Sequence, residues 1–159
     1  MTTLASKLQR AYSLLVSIAN SLQSPLLLFV RLYWGWQFME DGWGKLTHLP
    51  KVIEYFSSLG LPAPGPTAYF VSILELVGGA LLALGLGTRL VALLLTCNMT
   101  VAYITGDREA LLSIFSDPDK FSAAAPFTYL MASLVILVLG PGKFSLDYLI
   151  ERYWLRKDI

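Results

Sequence analysis

The side chains that could do chemistry in this chain are isolated polar groups within long apolar stretches. Glu75 is the only charged residue between positions 67 and 86, and Arg31 is the only one between positions 26 and 39. A carboxylate in apolar surroundings is costly unless it is neutralised or hydrogen-bonded. We therefore expect Glu75 to be protonated, to pair with Arg31, or to bind other polar side chains. The polar residues available for this in the other stretches are Gln37, Asn98 and Tyr129.

Other kinds of reactive site are excluded by the residue counts. The sequence has one cysteine, Cys97, and one histidine, His48, so neither an intrachain disulfide nor a cluster of Cys and His metal ligands can form. Cys97 lies within the third predicted span and is expected to be a small apolar packing residue and not a reactive thiolate. We predict no catalytic residue and no metal site, and any redox cofactor has to come from outside the chain.

The composition indicates a membrane environment. Of the 159 residues, 55% are hydrophobic and 14% are charged, whereas soluble domains carry roughly 25% charged residues. The mean hydropathy is +0.60. The formal net charge of +1 provides no basic field for nucleic acid, so no nucleic-acid partner is expected. The chain is predicted to be an all-α integral membrane protein that contacts the lipid bilayer.

Four apolar segments have about the length needed to cross a bilayer, which is ~20 residues for a ~30 Å hydrocarbon core. They lie at about 25–45, 67–86, 89–105 and 121–140, and we expect them to form a four-helix bundle over residues 25–142. Ser24 and Pro25 are predicted to begin the first span, because serine caps helices and proline suits the first helical position. Pro126 is expected either to kink the fourth span or to mark its true start.

Amphipathic segments flank and interrupt this bundle. Residues 1–24 carry apolar side chains at helical spacing and are predicted to lie at the membrane surface or against the bundle. Residues 48–61 are predicted to form a short interfacial helix, and residues 143–159 an interfacial tail helix capped by Ser145. Lysine and arginine are more frequent on the side that holds both termini, which predicts cytoplasmic termini in a bacterial or archaeal plasma membrane. These cations are Lys7, Arg10, Arg89, Lys143, Arg152, Arg156 and Lys157.

The isolated polar groups fall at similar depths. With a rise of ~1.5 Å per residue from the predicted cytoplasmic helix ends, Gln37, Glu75, Asn98 and Tyr129 lie about 14 to 18 Å deep. Arg31, about 9 Å deep, has a side chain long enough to extend toward Glu75 or back to the surface. A polar layer near the midplane is therefore predicted.

Two further groups of residues are expected to have simpler roles. Asp41, Lys45 and His48 form a polar cluster where the first span emerges on the outer side, with interfacial anchoring as the expected role of Lys45. His48 alone is too little for a haem or zinc site, although it could donate a hydrogen bond to a ligand. Glycines on the first two spans are expected to allow close helix packing. They are Gly35, Gly42, Gly78 and Gly79.

Several of these residues belong to an ordered set of short motifs along the chain. The set consists of Arg31-Leu32, Gly35, Phe38, Gly42, Lys45-Leu46, Glu75, Gly78-Gly79, Leu82, Leu84-Gly85-Leu86, Thr88-Arg89 and Gly140-Pro141-Gly142-Lys143-Phe144-Ser145-Leu146-Asp147. This arrangement, which covers about residues 25 to 150, resembles the DoxX family. The resemblance implies a four-span membrane protein, and some relatives are small subunits of thiosulfate:quinone oxidoreductase. Others are linked to detoxification and to membrane complexes of oxidative stress.

These observations leave several functions open. The first is a membrane subunit that anchors a redox partner and offers a quinone pocket around Arg31, Glu75 and Asn98, without catalysing alone. The second is a membrane scaffold or assembly factor without a ligand, in which an Arg31–Glu75 pair only fixes the helix register. A small-solute transporter is disfavoured, because four short spans leave little room for two moving repeats unless the chain forms an oligomer. A protein partner or a homo-oligomer is expected, with residues 1–24 as a possible docking element.

Overall fold

The first part of the chain is one continuous helix in the computed structural model, which describes residues 2–154 and the side chains of residues 5–154. Helix α1 spans Thr2–Thr47 and contains Pro25. The prediction that a helix begins at Ser24 and Pro25 is therefore wrong. An internal proline removes one backbone hydrogen bond from its helix. The chain segment that follows the fourth apolar helix contacts α1 beside this proline, where the Lys143 N–H donates a hydrogen bond to Ser24 Oγ at 3.3 Å. Ser24 thus binds a distant segment instead of capping a helix.

The part of α1 that precedes Pro25 extends away from the other helices. Its apolar side chains, including Leu8, Leu15 and Ile18, are exposed. The predicted alternative that this segment packs against the bundle is therefore not observed for residues 5–22, and its placement at a membrane surface stays a prediction. The 46 residues of α1 give a length of about 69 Å at ~1.5 Å per residue.

The described residues contain seven further helices and no strand. The helices are α2 (Leu49–Ser58), α3 (Pro64–Leu84), α4 (Thr88–Thr105), α5 (Arg108–Leu112), α6 (Pro118–Ala123), α7 (Ala125–Leu139) and α8 (Leu146–Tyr153). Within this part of the chain, α1, α3 and α4 are long and apolar enough to cross a membrane, and α7 is a shorter apolar helix. The all-α architecture is that of a helical membrane protein.

Prolines set two of the helix starts. Helix α3 begins at Pro64 and not at about residue 67, because a proline in the first turn lacks only an N–H that has no helical acceptor. The fourth apolar segment begins at Ala125 and not at residue 121, and α6 precedes it as a separate helix. A helix running on from α6 would force the ring of Pro126 against the carbonyl of Ser122. Pro126 therefore marks the start of α7 and does not kink a longer helix.

Helices α1 and α3 pack backbone to backbone through glycines. A Cβ atom on Gly79 would lie 2.6 Å from the carbonyl oxygen of Gly35, and a Cβ atom on Gly42 would lie 2.7 Å from that of Ser72. Both distances are shorter than any ordinary Cβ contact. Gly78 faces α4 instead, where a Cβ atom would lie 3.4 Å from the nearest side-chain atom. The glycines thus fix the distance between α1 and α3, on which the site described below depends.

The apolar core lies between the four main helices. Phe38 of α1, Leu82 of α3, Leu95 of α4 and Ile136 of α7 are fully buried there. Helix α1 packs along α3, and α4 packs along α7. The contact between α1 and α7 is less extensive, so the bundle is closed less tightly on that side.

The chain after α7 returns to the bundle and is fixed at the start of α4. The Asp147 carboxylate accepts hydrogen bonds from the backbone N–H groups of Gly87 at 2.7 Å and Thr88 at 2.8 Å. The Asp147 N–H donates to the Gly85 carbonyl at 2.9 Å. Burial raises the pKa of Asp147, but the hydrogen bonds from Thr88 and Gly87 and the charge of Arg31 outweigh this effect, so the pKa lies below its ordinary value. Asp147 is therefore an ionised cap that joins α8 to α4.

Helix α8 begins as predicted. Ser145 Oγ accepts a hydrogen bond from the Tyr148 N–H at 3.1 Å and caps the helix. The last residues of the predicted tail 143–159, including Arg156 and Lys157, lie outside the described residues.

Replacing Asp147 with alanine is expected to lower the free energy of unfolding by about 2 kcal/mol, because two N–H groups at the start of α4 lose their acceptor. A carboxyl group whose pKa is lowered by folding stabilises the protein above its unfolded pKa of about 3.9, and this contribution is lost as the pH falls through the lower folded pKa. The stability difference between wild type and variant should therefore shrink below about pH 4. Thermal unfolding in detergent at neutral and acidic pH measures both effects. Glu151→Gln, on the exposed side of the same helix, is the control, and an equal loss in both variants would contradict the capping role.

Candidate functional site

Glu75 lies at the centre of the bundle and is only 1% exposed. Its Oε1 atom accepts a hydrogen bond from Asn98 Nδ2 of α4 at 2.9 Å. Its Oε2 atom forms an ion pair with the Lys45 ammonium of α1, which donates a hydrogen bond to it. A buried carboxylate needs such partners to offset the loss of its hydration. Three helices therefore meet at one carboxylate.

Lys45 reaches this carboxylate from the last turn of α1. A lysine at the end of a membrane helix commonly extends its ammonium toward water. Here the side chain turns inward to Glu75 and is 31% exposed. The expected role of Lys45 as an interfacial anchor therefore does not describe its position.

Tyr129 of α7 forms the other side of this polar group. Its ring packs edge-on against Trp34 and Phe38 of α1, with centroid distances of 5.2 and 4.8 Å. Its hydroxyl interacts with the Asp41 carboxylate, and Asp41 precedes Lys45 by about one helical turn. The aromatic contacts thus hold the hydroxyl of Tyr129 beside the acidic groups.

These polar side chains form the floor of a cavity of about 210 Å³. Its walls come from α2, from the halves of α3 and α4 nearest to α2, and from the start of α7, and they are mostly apolar. The apolar and aromatic wall residues are Tyr55, Phe56, Leu59, Leu61, Val71, Met99, Val101, Ala102, Ala125 and Pro126. The cavity therefore combines a polar floor with apolar walls, as ligand sites in proteins commonly do.

The charges that line the cavity are mainly negative. Asp41, Glu75 and Asp107 contribute carboxylates, and Lys45 contributes the ammonium group. An anion would be repelled in this site, because like charges interact strongly where water is excluded. Among residues 2–154, no group of three or more His, Cys, Asp or Glu side chains could hold a metal ion.

Arg31 is fully buried but lies at the opposite end of the bundle. Its guanidinium donates a hydrogen bond to the carbonyl of Phe144. Gly85 makes room for it, because a Cβ atom at that position would overlap the guanidinium. The ion pair between Arg31 and Glu75 that the sequence allowed is therefore absent. Arg31 binds the C-terminal segment to α1 instead.

Three other residues singled out from the sequence lie outside the cavity. Gln37 is half-buried on α1 and does not line the cavity. His48 turns back toward α1, with its Nδ1 atom 3.0 Å from the carbonyl oxygen of Gly44. The predicted outer cluster is thus divided, since its two charged members line the cavity and His48 does not. Cys97 is exposed on the outer surface of α4, so it does not pack between the helices.

Two features of the site were missed from the sequence. The first is the contribution of α2, whose Tyr55 and Phe56 line the cavity. The apolar face of this short helix was the sequence feature that could have indicated a wall of the cavity, but the same feature also predicts a helix at the membrane surface. The second is the pairing of Lys45 with Glu75, which lie 30 positions apart, so no local spacing could indicate it.

Comparisons with known proteins agree on one family. The sequence profile of the DoxX family matches residues 26–108. A Bacillus subtilis protein named "Putative oxidoreductase CatD" is 31% identical over 122 residues, which cover 76% of this chain and 83% of the relative. The "Inner membrane protein YqjF" of Escherichia coli is 28% identical over 142 residues, which cover 85% of this chain and 99% of the relative. The "Uncharacterized membrane protein Rv3486" of Mycobacterium tuberculosis is 29% identical over 130 residues, which cover 77% of this chain and 80% of the relative. No solved structure matches the chain significantly.

The family match covers more than half of the chain and includes four residues of the cavity floor, Asp41, Lys45, Glu75 and Asn98. The names of the relatives and the apolar helices agree on a multi-pass protein of the bacterial inner membrane. As its motifs predicted, the chain belongs to the DoxX family of membrane proteins.

Proposed function

We propose that this chain is the membrane subunit of a quinone-linked redox complex and that its cavity binds the quinone head group. The observation that carries this proposal is the polar floor beneath apolar walls. A quinone ring has two carbonyl oxygens that accept hydrogen bonds, and its reduced form has two hydroxyl groups that donate them. Lys45, Asn98 and Tyr129 supply donors, and Asp41 and Glu75 supply acceptors. The site can therefore bind the ring in either oxidation state.

The size and charge of the cavity support the same class of ligand. A volume of about 210 Å³ is below the ~300–1,000 Å³ of pockets that enclose drug-sized ligands, so it suits a single substituted ring. The excess of carboxylates disfavours anions, and a quinone is neutral. We therefore assign any anionic electron donor to a partner protein and not to this cavity.

We assign the electron transfer itself to a partner. One relative carries the name of an oxidoreductase, which supports a redox context for the family. The exposed part of α1 before Pro25 presents apolar side chains beyond the bundle and is our candidate for partner docking. The excess of cations near both termini supports a cytoplasmic location for this docking surface.

Replacing Asn98 with leucine is expected to weaken the binding of a short-tailed quinone by about tenfold, because the cavity floor loses one donor while its volume is nearly kept. Calorimetry on the protein in lipid nanodiscs measures the affinity. Gln37→Leu is the matched control, since Gln37 lies on the same bundle but does not line the cavity, and it should bind like wild type. Equal losses in the two variants would indicate a general effect on the bundle and would count against the site.

A second experiment separates the proposal from a scaffold without a ligand. The protein is purified in a gentle detergent, and co-purifying proteins and lipid-soluble molecules are identified by mass spectrometry. We expect a quinone in near-stoichiometric amount together with a redox partner. A folded protein that carries no quinone and binds none when quinone is added would overturn the proposal in favour of a scaffold.

A further inference from the structure

Helices α3 and α4 both line the cavity at the end of the bundle that carries α2. Nearer to their connecting turn they pack together at Gly78 and Leu95. The hydrogen bond between Glu75 and Asn98 joins them at the cavity floor. Beyond it, Val71 of α3 and Val101 of α4 lie on the walls of the cavity. Although these two helices are consecutive and antiparallel, they contact each other far less than α1 contacts α3. The cavity therefore occupies the space that opens between them.

Helix α2 covers the end of this space. Tyr55 extends its hydroxyl to Gly106 at the end of α4, where a Cβ atom would lie 3.0 Å from the hydroxyl oxygen. Phe56 of the same helix is buried and lines the cavity at this end. Access along the bundle axis is thus restricted by two aromatic side chains.

The wall of the cavity between α3 and α4 is exposed at Val101. Val101 lines the cavity, yet it is 51% exposed, so it borders both the cavity and the outside of the bundle. The exposed neighbours on the same outer surface are large and apolar, with Ile104 on α4 and Phe70 on α3. Such a surface faces lipid in a membrane protein. An opening of the cavity at Val101 would therefore lead into the hydrocarbon region.

On the basis of the proposed function, we propose that this opening between α3 and α4 receives the apolar tail of the quinone. The cavity can hold a ring but not a long isoprenoid chain, so the tail of a bound quinone has to leave it. An exit lined by Val71 and Val101 lets the tail lie among lipid chains without exposing apolar surface to water. The ligand of this site is thus a lipid-tailed quinone that reaches the cavity sideways from the membrane.

A second gap, between α1 and α7, offers a less suitable exit. Asp41 of α1 and Ala125 of α7 both line the cavity and are exposed, and Lys45 is partly exposed. A tail leaving by this gap would pass two charged side chains and would separate them from water. The two possible exits predict different effects on the binding of a tailed quinone when the residues beside each gap are replaced.

The experiment compares Val101→Trp with Ala125→Trp in nanodiscs, using one quinone without a tail and one with a long isoprenoid tail. Val101→Trp fills the opening between α3 and α4, and because Val101 also lines the cavity the measured quantity is the ratio of the two affinities. The tailed quinone should lose at least about tenfold more affinity than the tail-less quinone. Ala125→Trp adds the same side chain at the other gap, and because Ala125 also lines the cavity it should change the affinities for the two quinones by the same factor, to within about twofold. Size-exclusion chromatography and thermal unfolding establish that both variants are folded.

Photolabelling provides a measurement that does not depend on these variants. A quinone with a photoreactive group on its tail is expected to label peptides of α3 and α4 in the wild-type protein. Labelling of α1 and α7, or loss of tailed-quinone binding in Ala125→Trp only, would overturn the proposed exit while leaving quinone binding intact. A wild-type protein that binds neither quinone would instead overturn the proposed function and the exit with it.

Discussion

Replacing Lys45 with methionine is expected to lower the free energy of unfolding by about 3 kcal/mol, because it leaves the carboxylate of Glu75 in the bundle without its counter-charge. Methionine keeps the length and most of the apolar surface of the lysine side chain, so the loss reports mainly on charge. The remaining hydrogen bond from Asn98 cannot replace an ammonium group. Equilibrium unfolding of the purified protein in mixed detergent micelles measures the difference.

The double variant Lys45→Met with Glu75→Gln is expected to recover most of this loss. With both charges removed, the glutamine amide can still bind Asn98, and a buried neutral pair is often as stable as the ion pair it replaces. Lys51→Met is the matched control, since Lys51 is exposed on α2 and should change stability little. If the double variant were as unstable as the single one, Lys45 would be stabilising the bundle by contacts other than the Glu75 pair.

Replacing Gly79 with alanine is expected to destabilise the bundle by about 3 kcal/mol, because the added methyl group forces backbone and not flexible side chains to move. The Cβ atom would lie 2.6 Å from the Gly35 oxygen and 2.8 Å from the Met39 nitrogen. Moving α1 away from α3 would also lengthen the distance between Lys45 and Glu75. If the cavity binds a quinone as proposed, the variant should therefore lose quinone affinity together with stability, which unfolding and calorimetry measure in the same preparation.

Gly44→Ala is the control within the same pair of helices. No atom lies within 4 Å of a Cβ atom at Gly44, and alanine favours a helix over glycine by up to about 1 kcal/mol. This variant should be as stable as wild type or slightly more stable. An equal loss in Gly44→Ala and Gly79→Ala would show that glycine is needed for a reason other than close packing.

The main features of the fold could be predicted from the sequence because the bilayer imposes simple rules. Helix length, apolar composition and prolines at helix starts locate α3, α4 and α7 to within a few residues. The start at Pro25 could not be predicted correctly, because a proline within a long apolar helix and a proline at a helix start have the same local sequence. What distinguishes them is the contact between Ser24 and the distant Lys143.

The candidate site was predictable in its centre and not in its surroundings. Glu75 and Asn98 could be related because each is an isolated polar group at a similar depth on a predicted span. The partner of Glu75 could not be identified, since Arg31 and Lys45 lie on the same face of α1 and the sequence does not give the register of α1 against α3. The pairing depends on that register, in which Gly42 lies against Ser72 and Lys45 reaches Glu75. Arg31 lies beside Gly85 at the other end of the bundle and binds the Phe144 carbonyl.

The continuity of α1 has a practical consequence for imaging this protein. A 17.6 kDa membrane protein offers too little mass outside the detergent belt for particle alignment in electron cryomicroscopy. A rigid helical carrier spliced into α1 at about Leu8, before the bundle begins, would share its axis with the segment that bears Lys45. Its orientation would then report the direction of the helix that bears Lys45 in each particle image.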